Sequence, residues 1–96
     1  MTNSRLALTL AYFNRFPRAE GLTDEQHAAA LQTSPCIAFV GGVVEYVGLT
    51  HGLTLKPSAV RKAVRESALR AYKISFGFHF SPADVDAWLE SLRVSA

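Results

Sequence analysis

The chain has one cysteine, Cys36, and so cannot close a disulfide within itself. That usage points to a reducing compartment, with the cytoplasm as the expected home. His27, His51 and His79 are scattered singly and share no CxxC or HxxxH spacing with Cys36, so no metal site is expected. The glycines form neither a GxGxxG nor a Walker pattern, which removes the usual phosphate loops. Ser58, Ser67 and Ser81 sit in no glycine elbow and have no base nearby in sequence. Asp84, Asp86 and Glu90 are the only clustered carboxylates, and they read as a helix cap and a solvated helix face. These absences predict a protein that is not an enzyme and takes no cofactor. Long apolar runs are missing too. Leu6–Phe13 is cut off by Asn14, Arg15 and Pro17 with no small-residue cleavage site, which argues against export. The run from Cys36 to Leu49 carries Glu45 and falls short of the roughly 20 residues a membrane span needs.

What is present is a 96-residue chain with 49% hydrophobic residues. A chain of this size buries about 60–68% of its unfolded surface and supports one core, so residues 1–96 are expected to form a single compact domain. The net charge of +2 is small but uneven. Lys56, Arg61, Lys62, Arg65, Arg70 and Lys73 are opposed within their own stretch by Glu66 alone, giving +5 there and −3 elsewhere.

The pattern predicts a mainly α fold with a short β element (α+β) and four to five helices. Ser4 can cap a first helix from Arg5 to about Phe16, stopped by Pro17, with Leu6, Leu10 and Phe13 at helical spacing. Thr23 and Gln26 have the form of a capping box opening a helix over 24–32, anchored by Leu22 and Leu31. Residues 36–47 fit two templates. As a helix, Ser34 caps it, Pro35 takes its first position and Gly48 stops it. As a β-hairpin, it turns at Gly41-Gly42. Pro57 opens a basic helix over 57–73 whose buried side is marked by Val60, Ala63, Val64 and Ala71. Residues 74–80 alternate Ile74, Phe76, Phe78 and Phe80 with Ser75, Gly77 and His79, the pattern of one strand with His79 facing outward. Ser81 and Pro82 open a last helix ending near Val94, with Val85, Trp88, Leu89 and Leu92 as its apolar stripe.

Two kinds of partner fit this sequence. The first is DNA, bound by a helix-turn-helix-like arrangement. Arg61, Lys62 and Arg65 in the first turns of the basic helix would enter the major groove, and Arg70 and Lys73 would meet phosphates. Arg70 and Lys73 have a plainer explanation as cations compensating the helix dipole. The segment YKISFGFHFSPADVDAWLESL, residues 72–92, locally resembles the strand-then-helix ending of excisionase-type helix-turn-helix proteins. Two departures accompany it: Phe78 and Phe80 replace basic residues, and the connection from Gly48 to Pro57 is longer than the usual turn. The second kind of partner is a protein, with this chain acting as a small phage- or plasmid-encoded inhibitor or accessory factor that occupies a host protein's surface. Tyr72, Phe76, Phe78, Phe80 and Trp88 beside an arginine-rich helix are the residue types of binding hot spots. Either reading accommodates a homodimer paired through strand 74–80.

Overall fold

The computed structural model describes residues 4–94. The order is α1 (Ser4–Phe13), α2 (Asp24–Gln32), β1 (Ile37–Ala38), α3 (Phe39–His51), α4 (Pro57–Arg65), β2 (Tyr72–Ile74), β3 (Gly77–Phe80) and α5 (Pro82–Ser91). The fold is therefore mainly α with one small antiparallel sheet, whose strand order is β1-β3-β2. No helix among the described residues is long and apolar enough to cross a membrane.

Local signals place α2 and α5. The Thr23 hydroxyl accepts from the Gln26 amide at 3.1 Å while the Gln26 side chain accepts from the Thr23 amide at 2.9 Å. Both donors would otherwise be orphaned at the helix start. The same helix is anchored less by leucine than expected. Leu22 and Leu31 are half-buried, whereas His27 is buried and its Nε2 donates to the Phe13 carbonyl at 2.7 Å, tying α2 to the end of α1. Ser81 caps α5 through the Asp84 amide at 3.1 Å, and Pro82 occupies the first helical turn. In α1 the apolar stripe engages only at its C-terminal end, where Tyr12 and Phe13 are buried while Leu6 is 48% exposed. Tightened turns follow through Phe16, so the helix stops at Phe13. The side chain of Ser4, the expected cap, lies outside the described residues.

The region 36–47 resolves into a helix that starts later than its own local signals suggest. Ile37 and Ala38 pair with Phe80 and His79, which holds them extended and moves the helix start from Pro35 to Phe39. Phe39 enters with φ 66, a left-handed conformation that is costly for a residue with a Cβ. Gly42 lets the first turn close on Ile37, because a Cβ there would meet Ile37 Cγ2 at 3.1 Å. The helix passes through Gly48 and ends at Gly52, whose φ of 69 makes it the left-handed cap. Val43, Tyr46, Val47 and Thr50 form its fully buried face, and it packs against α1, α4, β1 and β3. Its exposed side carries Gly41, Gly48 and Leu49 around a single charge, Glu45, which explains the ambiguous periodicity of this stretch.

Two expectations are corrected near the basic stretch. The helix does not run over 57–73. It ends at Arg65, where Ser67 takes φ 60, the Ala68 amide bonds back to the Ala63 carbonyl at 2.8 Å and the Ser67 amide to Val64 at 3.1 Å. This double closure terminates a helix even without glycine, and it turns Leu69 into the core, where it is 1% exposed. Nor is 74–80 one strand. Ile74 pairs with Gly77 across a two-residue turn of Ser75 and Phe76, making a hairpin in which Lys73 lies opposite Phe78 and Tyr72 opposite His79. Alternation has the same period on both arms, so it does not reveal the turn. Because β3 lies between β1 and β2, its pairing is met within the chain and requires no second copy. The core joins Tyr12, Phe13, Ile37, Val43, Tyr46, Val47, Val60, Ala63, Leu69, Phe80, Val85 and Trp88 in one cluster.

Candidate nucleic-acid interface

The amphipathicity of α4 decides what it presents. Val60 and Ala63 are buried against α3, and Arg61, Lys62 and Arg65 are exposed on the opposite side. The hairpin runs beside it as a wing: Arg61, Val64 and Arg65 line a shallow groove of about 270 Å³ together with Val40 and Phe78. Val64 and Phe78 continue into a second depression that reaches Ser67 and Arg70. Lys73 stands directly across the strand pair from Phe78, on the same face of the sheet. Arg61, Arg65, Arg70 and Lys73 are thus gathered around Phe78. Lys62 points away, into a depression shared with Glu66, Trp88 and Leu92.

The roles of the individual cations shift. Lys62 and Arg65 fall in the last turn of α4, where they compensate the helix dipole. Arg70 and Lys73 lie beyond the helix and have no such explanation.

Pairing separates these cations from the others. Arg15 meets Glu45 at 3.3 Å, Arg18 meets Asp24 at 2.6 Å, and Arg93 meets Glu90 at 3.0 Å. Among the described residues, none of Lys56, Arg61, Lys62, Arg65, Arg70 and Lys73 has an acidic partner within bridging distance. Every described cation outside 56–73 is therefore paired, and every one inside it is open.

The aromatic residues divide between core and surface. Phe80 faces the core, but Tyr72 is 37%, Phe78 40% and Phe76 100% exposed. On the outer face of the sheet, Phe39 lies against His79 at 5.5 Å between ring centroids and covers Gly77 so closely that a Cβ there would sit 2.3 Å from the ring. His79 therefore does not simply face outward: its Nδ1 is buried and has no hydrogen-bond partner.

A polar network lies on the other side of the molecule. Asp86 accepts from the Tyr46 hydroxyl at 2.9 Å, from His51 Nε2 at 2.9 Å and from the Gln32 amide at 3.1 Å, joining α2, α3 and α5. The groove beside it, lined by His51, Leu53, Leu55, Asp86, Leu89 and Leu92 among others, has no serine, threonine or cysteine in its lining. Local sequence places Asp86 on a solvated acidic face, because its partners lie 35 to 54 residues away. Burial pushes the Cys36 thiol up, away from the thiolate form a nucleophile needs. No group of three or more metal-ligating side chains is gathered among the described residues.

No protein-family model matches the chain, and no characterised protein or solved structure that was compared with it is significantly similar.

Proposed function

We propose that this chain is a non-enzymatic DNA-binding or regulatory accessory protein that docks α4 and the β2–β3 hairpin on duplex DNA. The observation that carries this reading is the segregation of charge: the open cations gather around α4 and the hairpin, while the described cations elsewhere are paired. Unpaired arginines and lysines gathered on one surface displace counterions from phosphates, which favours binding without base contacts. The order α2, β1, α3, α4, hairpin supports the same reading. Helices α3 and α4 pack together across a connection of residues 52–56, shorter than the sequence suggested because α3 extends to His51. The exposed side of α4 then offers Ser58, Arg61 and Arg65 to a groove, with Arg70 and Lys73 placed for the backbone. The test is a gel shift on random-sequence duplex at about 50 mM salt, where binding is expected and where no shift would end the reading.

A second reading rests on the outer face of the sheet. Phe39, Tyr72, Ile74 and Phe76 are 56, 37, 41 and 100% exposed, an apolar surface suited to a protein partner such as the target of a small inhibitor. A second copy of the chain suits it less well at the open β2 edge, because two-fold pairing centred on Lys73 would set like charges opposite one another. Co-purification of one defined protein after nuclease treatment is the result this reading requires.

A further inference from the structure

Phe76 has no role in the fold. It forms the tip of the hairpin with Ser75, is fully exposed, and occupies a turn position where polar residues and glycine are favoured. The hairpin beneath it has two unlike faces. Phe39 is fixed over the Gly77 backbone on the outer face, and the Lys73–Phe78 pair lies on the inner face beside Arg61 and Arg65. Two residues of strand carry the tip about 7 Å past that groove. The result is one bare aromatic ring on a short, buttressed arm that projects from a surface of unpaired cations.

We infer that Phe76 is a wedge that enters the minor groove next to the site of α4 and slides between two base pairs, unstacking them and kinking the duplex. The inference rests on the DNA-binding reading and specifies the ligand as double-stranded DNA containing a deformable step. The cations explain why nucleic acid is the occupant: a ring lodged between bases has phosphates on either side, and Lys73, Arg61 and Arg65 flank the arm that carries it. Pyrimidine–purine steps unstack most readily and are the preferred point of entry. Phosphate contacts set the overall affinity, whereas the wedge sets the shape of the bound DNA.

The experiment uses a duplex of about two helical turns with a central TA step, 2-aminopurine as the adenine of that step and a donor–acceptor pair at its ends. Binding of the intact protein is expected to raise the 2-aminopurine emission and shorten the end-to-end distance. Phe76→Ala should bind within about threefold of the parent affinity at low salt, since the phosphate contacts remain, and should lose both signals. Phe76→Leu, which keeps an apolar wedge, should restore most of them. The ring buries no surface in the fold, so equal melting temperatures for the three proteins are expected and separate a wedge from a folding defect. Binding by the intact protein without unstacking, or unstacking that survives Phe76→Ala, overturns the wedge and leaves the DNA-binding reading standing. Absence of binding by every variant overturns both.

Discussion

Replacing Asp86 by alanine tests whether α5 is held to the helical body by one carboxylate. Asp86 accepts from Tyr46, His51 and Gln32, and its side chain is 29% exposed, so the network is mostly, though not fully, shielded from water. Net contributions of about 1 kcal/mol per hydrogen bond, with some enhancement for the charged acceptor, put the loss at roughly 2–4 kcal/mol. For a domain of this size that corresponds to a fall in Tm of about 10–25 °C, readable by circular dichroism. A double-mutant cycle with Tyr46→Phe isolates one arm, and its expected coupling is about 1 kcal/mol. The reasoning fails if Asp86→Ala lowers Tm by only a few degrees or if the two substitutions are strictly additive.

Gly77→Ala places a methyl group 2.3 Å from the Phe39 ring and is expected to destabilise by about 1–3 kcal/mol; Phe39→Ala in the same chain should recover most of that in a urea titration. Ser67→Gly relieves a left-handed residue at the end of α4 and is expected to raise the unfolding free energy read from a urea titration by roughly 0.5–1 kcal/mol after the added chain entropy of glycine. Burial, helped by nearby Cys36, pushes the Tyr12 hydroxyl up to about 12 from 10.0. Because the folded value is the higher one, this neutral phenol stabilises the fold fully below pH 10 and progressively less between pH 10 and 12. Stability measured across that window should fall, and Tyr12→Phe should make the fall shallower.

Parts of the fold were legible where the signal is local. Thr23 with Gln26, Pro57, and Ser81 with Pro82 fix helix starts within a few residues, and the structure begins helices at each of them. What the sequence hid depends on distant partners. The start of α3 is delayed by pairing between Ile37 and Phe80, and α4 stops where Leu69 is drawn into the core. The turn at Ser75-Phe76 lacks the Asn-Gly or Gly-Gly pair that announces a tight hairpin, so the alternating run concealed it. The candidate interface was visible as a charge asymmetry, and Arg61, Lys62, Arg65, Arg70 and Lys73 are all exposed. Their arrangement was not visible. The structure takes Arg70 and Lys73 off the helix and sets them, with Arg61 and Arg65, around an exposed Phe78.

The central claim is that the unpaired cations of α4 and the hairpin make the DNA contacts, and the salt dependence of affinity tests it most directly. If Arg61, Arg65, Arg70 and Lys73 each neutralise one phosphate, the slope of log affinity against log salt is about −3.6, measured by fluorescence anisotropy on a random duplex. Arg61→Ala/Arg65→Ala should reduce its magnitude by about 1.8, while Arg15→Ala/Arg18→Ala, which removes cations already paired with Glu45 and Asp24, should leave it unchanged. A shallow slope in the parent, or an equal reduction by both double substitutions, would contradict the account.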